Sequence, residues 1–419
     1  MFKNLLRSDL NVINLNSILG FMSGLPLLLT SSTLQAWFVD YGIDLVTIGA
    51  LSLIGIPYTL KFLWAPLLDT FHFASDAPRR YWILMSQCLI FWLMLLLSFM
   101  TPKYMPKEMA AIAFIITIFS ATQDVAIDAY RQVFTPVKLR TIVVSCSTTT
   151  YRLAMIITGG IALIMADYLG WSFTYKVMSA QVFVGFFLTW SIAKPYEDFK
   201  EKKDYEQMLL TPLKKLASVK NFKSLIAIII LYKISDAFLL NFIQPFLMQG
   251  MGYSKSYVGT LVKVFGLIAT IVGAFSASLY AEKVSFYKSL LMFGYMQIVA
   301  LLLFMLLANF KSHNLAVCAV FIESLCNGAT SCLLISLFMN ICNDNDYAAT
   351  QISFLSAIAS LPRVALGPVA GVIAQKCGWV EFFAISTGVA IPGVLLLQYY
   401  KSNIISHFCF DKNENLLSA

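Results

Sequence analysis

The sequence predicts an all-α integral membrane protein of twelve transmembrane helices, arranged as two pseudo-symmetric six-helix bundles. Three observations predict it. Of the 419 residues, 59% are hydrophobic and only 12% charged, where soluble domains carry about 25% charged residues. Apolar windows of about 20 residues, the length that crosses hydrocarbon with its backbone satisfied internally, recur along the chain. Short motifs repeat at an offset close to half the chain length. Such a chain cannot coat a globular surface with polar groups, which excludes soluble enzymes, disordered regulators and disulfide scaffolds.

The windows fall at roughly 13–37, 45–66, 81–100, 109–130, 141–165 and 171–193, then 222–248, 256–280, 286–308, 314–341, 349–375 and 379–400. One long polar connection divides them six and six. It carries Lys200, Glu201, Lys202, Lys203, Asp204 and Glu206, then Lys214 and Lys215 around Thr211-Pro212, a mixed-charge, partly helical linker on the inner membrane face. The expected organisation is therefore an N-terminal bundle over 1–193, a cytoplasmic linker over 194–221, a C-terminal bundle over 222–401 and a cytoplasmic tail over 402–419.

Sidedness follows from the basic residues. With the N-terminus inside, 19 of the 30 Lys and Arg fall in inner segments and 5 in outer loops. This is the positive-inside bias, and it places both termini of a multi-pass membrane protein in the cytoplasm. The net charge of +8 is thus topological and implies no nucleic-acid partner. The first apolar window is span-length and lacks a small-residue cleavage site, so it is expected to remain as the first helix.

Duplication is the next signal. Tyr41-Gly42 with Ile48-Gly49 and Leu51 matches Met251-Gly252 with Val258-Gly259 and Leu261, 210 residues on. Arg152 and Gly160 match Arg363 and Gly371, and Gly170-Trp171 matches Gly378-Trp379. Three matches near one offset indicate an internal repeat, and repeated bundles place a substrate near the midplane.

Charge at bilayer depth costs about 2.5–3.5 kcal/mol per group, so it faces a bundle interior or a wet cavity. Nine such residues stand within the windows: Lys61, Asp124, Asp128, Arg152, Lys233, Asp236, Lys263, Glu323 and Arg363. Helices two, five, eight and eleven carry one cation each, and helices four, seven and ten carry all four acids. A central polar cavity is expected. Asp124 and Asp128 share a helix face, where two carboxylates resist ionising together. They are candidates for proton coupling, with Glu323; the competing reading makes them ties to Arg131 and Arg152. Arg152, Lys233, Asp236, Lys263, Asn327 and Arg363 are candidate substrate contacts. Arginine forks suit carboxylates, although Lys233–Asp236 and the arginines also suit plain ion pairing. Lys61, Asp69, Arg79, Arg80 and Arg131 cluster at the inner ends and suit gating. Glycine and proline at Gly20, Gly24, Pro26, Gly367, Pro368 and Gly371 permit close helix approach or bending.

No catalytic chemistry is expected. The eight cysteines lie mostly in spans without a C-x-x-C pair, and the three histidines form no metal motif. No nucleophile–base pair and no phosphate-cradling loop stands out. A metal- and cofactor-free, monomeric carrier in the lipid bilayer is the expectation, with a small molecule as its partner.

Several stretches resemble a known family. They include Gly20-Phe-Met-Ser-Gly-Leu-Pro-Leu27 with Ser32-Thr-Leu-Gln-Ala-Trp37, Lys61-Phe-Leu-Trp-Ala-Pro-Leu-Leu-Asp69, and Ala121-Thr-Gln-Asp-Val-Ala-Ile-Asp-Ala-Tyr-Arg131. Tyr151-Arg152, Leu231-Tyr-Lys-Ile-Ser-Asp-Ala-Phe238, Glu323-Ser-Leu-Cys326 and Gly367-Pro-Val-Ala-Gly371 continue the series. Over about residues 15–400 the chain resembles the AmpG-type muropeptide permeases, a branch of the major facilitators related to acetyl-CoA transporters. The resemblance implies proton-driven import of anhydro-muropeptides across the bacterial inner membrane, powered by the proton gradient without a cofactor. It adds Gln35 to the candidate substrate contacts. Peptide carboxylates then suit Arg and Lys, and sugar hydroxyls and amides suit Gln, Asn and Glu. The sequence departs from the family at Thr70, at Leu361-Pro362 and in its short polar tail. These departures leave open a paralogue for another anionic or peptidic solute, such as a nucleotide- or CoA-like compound. A membrane sensor without transport is the remaining alternative.

Overall fold

The computed structural model describes residues 7–64, 68, 78–135, 140–191, 205–218, 222–341 and 348–399. Among them, all regular structure is helical. Eleven helical stretches are long and apolar enough to cross a membrane: Leu10–Asp40, Leu45–Leu63, Arg79–Leu97, Pro106–Arg131, Cys146–Leu169, Phe222–Gly250, Lys255–Ala281, Phe286–Phe310, His313–Phe338, Gln351–Cys377 and Trp379–Tyr399. They match the sequence windows to within a few residues. The sixth window also forms a helix, Trp171–Ser191. It stays outside that set because Lys176, Gln181 and several Trp, Ser and Thr dilute its hydropathy. It is counted below as the sixth span. Large apolar side chains such as Trp92, Phe99, Phe275 and Phe310 are exposed, as lipid-facing surfaces require.

The helices are interrupted where the sequence demands it. In the first span the break at Thr30-Ser31 follows Pro26, and the Tyr175 hydroxyl donates to the Leu29 carbonyl at 2.7 Å. In the eleventh, the helix Ala348–Ala365 stops and Gly367–Cys377 begins. Pro368 has no N–H to offer the Val364 carbonyl; Ser52 Oγ donates to it instead, at 2.8 Å. Asn241 Nδ2 donates to the neighbouring Arg363 carbonyl, also at 2.8 Å. Wide π turns replace α geometry at Ile157–Ile161, Phe246–Gly250 and Gly259–Phe265, and the second span tightens into 3-10 turns at Leu51–Gly55 and Lys61–Leu63.

Contacts group the residues into two compact units. One comprises Met1–Ile43, Leu63–Lys203 and Ser254–Gly259; the other comprises Asp44–Phe62, Asp204–Tyr253 and Thr260–Ala419. Each is built mainly of one half of the sequence and takes a short piece from the other half.

The repeat is written into the backbone. Among the described residues, the positive-φ glycines are Gly42 (70°) and Gly252 (72°), and Gly170 (81°) and Gly378 (87°), the same pairs that the sequence matches. The helix after each of the first pair is capped alike. The Asp44 side chain accepts from the Thr47 N–H, and the Ser254 side chain from the Tyr257 N–H. An aromatic trio recurs as well. In the first unit Trp37 lies 5.6 Å from Trp171 and 4.7 Å from Tyr175. In the second, Phe246 lies 5.2 Å from Trp379 and 4.9 Å from Phe383.

Candidate functional site

The second unit holds a cavity of about 270 Å³ between the seventh, tenth and eleventh spans. Its polar lining residues are Lys233, Arg363, Asn327, Ser331, Ser356 and Ser360. Its apolar lining residues are Leu240, Leu334, Ile335, Phe338 and Ala359. Two cations, Lys233 and Arg363, line it among the described residues. Its floor is well tethered. Ser360 Oγ donates to the Ala357 carbonyl and lies 3.3 Å from Thr59 Oγ1, Asn241 and Ser52 hold the carbonyls beside Arg363, and Gln351 Nε2 donates to the Pro212 carbonyl at 3.0 Å. Ser331 Oγ leans toward Asn327 Oδ1 at 3.5 Å.

Glu323 is buried one helical turn from Asn327 and accepts from Ser324 Oγ at 3.1 Å. Lys263 sits within the π turns of the eighth span, close enough to Arg363 and Glu323 to interact electrostatically with both; π turns often mark functional positions. The tenth span reaches the eighth through glycines, since a Cβ on Gly273 or Gly328 would collide with the Leu325 or Thr270 carbonyl. Lys233, Arg363 and Asn327 thus line one cavity, with Glu323 and Lys263 nearby. Asp236 lies in the same span as Lys233, but its side chain is outside the described residues.

The first unit separates the two aspartates. Asp124 is buried and accepts from Ser23 Oγ. Asp128, one turn on, is 63% exposed and pairs with Arg131 at 3.1 Å. Arg131 also donates to Ser147 Oγ at 2.7 Å. Both aspartates act electrostatically on the Tyr151 hydroxyl. The first span can approach this closely because Gly20 and Gly24 face Ser147 and Tyr151, where a Cβ would collide with backbone. Asp128 therefore forms the tie that the sequence left as one of two readings, and Asp124 is the sequestered carboxyl. Gln35 is buried, and Arg152 is exposed.

Among the candidate gating residues, Lys61 is half-buried in its 3-10 turn. Arg79 and Arg80 open the third span, and Arg80 Nη2 donates to the Trp190 carbonyl at the end of the sixth. Asp69 lies outside the described residues.

Sequence reasoning missed a second polar cluster in the first unit. Lys255 Nζ lies 2.9 Å from Asp40 Oδ2 and 3.8 Å from Asp167 Oδ1. Trp171 Nε1 donates to Asp40 at 2.7 Å, and Ser256 Oγ to Asp167 at 2.6 Å. The available signal was three charges at span ends: two acids closing apolar windows, and a lysine three residues past a glycine turn. The cavity serines were missed because serine adds no charge to an apolar window.

The chain matches the Major Facilitator Superfamily over residues 17–349. It is 38% identical to the anhydromuropeptide permease of Escherichia coli K12 over 91% of this chain and 78% of that protein. An uncharacterized protein of Haemophilus influenzae is 30% identical, over 90% of this chain and 92% of that one. Rickettsia conorii has two relatives, the putative transporters AmpG 4 and AmpG 1, at 28% and 26% identity; each match covers 92% of this chain, with 96% and 97% of theirs. Among solved structures, a nucleoside transporter superposes with a TM-score of 0.73 at 13% identity, over 93% of this chain and 99% of that one. A POT family transporter bound to 5-aminolevulinic acid does so with 0.73 at 12%, over 96% and 98%. Those two likenesses concern the fold. By its match to the superfamily and its 38% identity over most of its length, the chain belongs to the major facilitator superfamily and, within it, to the anhydromuropeptide permease family.

Proposed function

We propose that the protein is a proton-coupled symporter. It imports anhydro-muropeptides (GlcNAc-anhydroMurNAc-peptides) from periplasm to cytoplasm by alternating access, across the bacterial inner membrane, for peptidoglycan recycling. The observation that carries this reading is the 38% identity over 91% of the chain with the E. coli anhydromuropeptide permease. A cavity whose described lining includes the cations Lys233 and Arg363 is in keeping with an anionic solute.

In this reading Asp124, with Asp128 and Glu323, carries the coupled proton. Gln35, Arg152, Lys233, Asp236, Lys263, Asn327 and Arg363 contact substrate, and Lys61, Asp69, Arg79, Arg80 and Arg131 gate the inner end. Both termini are cytoplasmic, the functional halves are 1–193 and 222–401, and 194–221 joins them ahead of a tail at 402–419. The carrier works as a monomer, needs no cofactor beyond the proton gradient and performs no covalent chemistry. Asp124 is the first choice for the proton because it is buried on a hydroxyl donor, whereas Asp128 has a permanent cation beside it.

Uptake of labelled anhydro-muropeptide into proteoliposomes, with and without a protonophore, tests the reading. Accumulation that collapses with the gradient is expected; its absence in folded protein overturns it. Asp124→Asn should stop gradient-driven accumulation while the protein still inserts. A second reading, a paralogue for another anionic or peptidic solute, is favoured by the two differently numbered Rickettsia conorii relatives that both match this chain. Running the same assay over a panel of unrelated anions separates the two.

A further inference from the structure

We infer that Ser23 is a positioning residue for proton coupling: its hydroxyl, able to donate to a carboxylate and to accept from a carboxylic acid, serves Asp124 in both protonation states. The inference rests on the proposed role of Asp124 as proton carrier and deepens it, because it names the group that keeps that carboxyl reversible at depth.

The contact joins the first and fourth spans. Ser23 Oγ donates to Asp124 Oδ1, and both residues are more than nine-tenths buried. Gly20 and Gly24 flank Ser23 and let its helix lie against the fifth span, where a Cβ on either would collide with the backbone of Ser147 or Tyr151. One turn away on the two helices, Leu19 and Ile127 join Ile83, Ala126 and Tyr130 in an apolar cluster. In such surroundings a carboxyl that lost its hydrogen-bond partner on changing charge would be costly.

The neighbouring ionisable groups come from three elements. Among the described residues, the first span carries none between Leu10 and Leu29. The third span brings Arg79, Arg80 and Tyr81 in its first turn, and Arg80 is bonded to the Trp190 carbonyl. From the fifth, Tyr151 interacts electrostatically with both Asp124 and Asp128. On the fourth span itself, Asp128 pairs with Arg131.

Partner chemistry separates the two aspartates. A guanidinium carries donors only, so the bond from Arg131 serves Asp128 as an anion alone. A serine hydroxyl has one donor and two acceptor positions. With Asp124 ionised, Ser23 donates to it, the arrangement seen here. A proton taken from water onto Oδ2 leaves Oδ1 a carbonyl oxygen that still accepts from Ser23. A proton taken onto Oδ1 can be donated to Oγ once the hydroxyl turns its own hydrogen away. In both cases the same proton returns to water on the other side of the membrane, and the helices need not move to satisfy the carboxyl.

The test is the pH profile of labelled anhydro-muropeptide uptake into proteoliposomes. Ser23→Ala removes a charge-assisted bond from the anion and only a neutral one from the acid. The pH of half-maximal uptake should therefore move about half a unit or more toward alkaline pH, about threefold in proton affinity. Ser23→Thr, which keeps the hydroxyl, should restore the wild-type midpoint; Ser23→Val, of the same shape without it, should not. An unmoved midpoint in folded Ser23→Ala, including uptake lowered by one factor at every pH, is what a merely structural serine gives and overturns the inference. Equal midpoints for the threonine and valine variants overturn it as well.

A measurement on the wild type decides even if the variants do not fold. The carboxylic C=O infrared band that Asp124→Asn removes should lie at the frequency of a hydrogen-bonded acid and titrate with the midpoint of uptake. A band at the frequency of an acid without a hydrogen bond overturns the inference. Failure of the underlying reading looks different: wild-type protein that takes up no labelled compound overturns transport, and undiminished gradient-driven accumulation by Asp124→Asn overturns the role of Asp124.

Discussion

The same helix-end contact is built twice in this protein, once with charge and once without. In the first unit, the N–H of Ser256 donates to Asp167 Oδ2 at 3.3 Å. In the second, the N–H of Val46, 210 residues earlier, donates to Gln375 Oε1 at 3.2 Å. Around this shared geometry the chemistry diverges. The first contact adds Lys255 between Asp40 and Asp167, and the Trp171 indole completes Asp40. In the second, Asp40 is replaced by Gly250, so close to the matching indole that a Cβ there would sit 2.9 Å from Trp379 Nε1. Packing is unequal in the opposite sense. Gly49 lies so close to Gly367 and Gly371 that a Cβ would collide with the Gly367 carbonyl oxygen. A Cβ on Gly259 would meet Leu163 Cβ at 3.0 Å and the Gly160 carbonyl at 3.1 Å. One contact is held by ions over looser packing, the other by close backbone approach with a single neutral bond. Duplication preserved the scaffold and let each copy find its own source of adhesion.

Four substitutions would sharpen or break that contrast, and the largest effect belongs to packing. Gly49→Ala has no flexible side chain to displace, so the second span must move off the eleventh, at a cost of about 1–3 kcal/mol. A fall of several degrees in melting temperature is expected, whereas Gly259→Ala should fall by much less. Equal losses would end the claim that the two contacts differ in closeness.

Next comes Lys255→Met, which leaves Asp40 and Asp167 without their shared cation. The group is partly exposed and solvent screens it, so about 1–2 kcal/mol is expected. Amide exchange over Ser254–Gly259 should quicken roughly tenfold. Adding Asp167→Asn should restore part of the protection; no change in exchange on removing Lys255 would show that the ions hold nothing.

Gln375→Leu removes one hydrogen bond at an exposed site and should cost about 0.5–1 kcal/mol, read as slightly faster exchange at Val46. A loss as large as that of Lys255→Met would erase the asymmetry.

The smallest effect is acidic. Burial works against the Asp44 charge, but hydrogen bonds from the Thr47 hydroxyl and N–H outweigh it and hold its carboxyl below the ordinary 3.8. The cap's contribution is therefore fully present above about pH 3.8 and is lost as the pH falls through the lower folded-state value. Its counterpart Ser254 does not titrate. Asp44→Ser keeps a capping oxygen, so it should flatten the acid end of the stability profile by less than about 0.5 kcal/mol once solvent screening is allowed for and leave neutral pH nearly unchanged; an unaltered profile would assign the acid sensitivity elsewhere.

Much of this architecture was legible in the sequence. Span limits were, because a run of apolar residues has a fixed minimum length in hydrocarbon. The repeat was, because Gly42, Gly170, Gly252 and Gly378 each serve a left-handed turn that favours glycine. Lys233, Asn327 and Arg363 were singled out by the cost of polar groups at depth, and all three line one cavity. Ser331, Ser356 and Ser360 were not, since a hydroxyl can satisfy itself on its own helix and leaves no mark in hydropathy. The different fates of Asp124 and Asp128 were partly legible, because Asp128 lies nearer the inner end of its window and was the better candidate for a structural tie; that Ser23 Oγ is the donor to Asp124 was not.

By itself the sequence determined that the chain lies in a membrane and, to within a few residues, where its apolar helices run, because hydrophobic length and turn chemistry are local. Which residues meet was decided by the tertiary structure alone. Asp44–Phe62 packs with the later half and Ser254–Gly259 with the earlier one. Contacts between residues more than 200 positions apart, such as Lys255 with Asp40 or Val46 with Gln375, depend on three-dimensional closeness of backbones, and no periodicity along the chain encodes it.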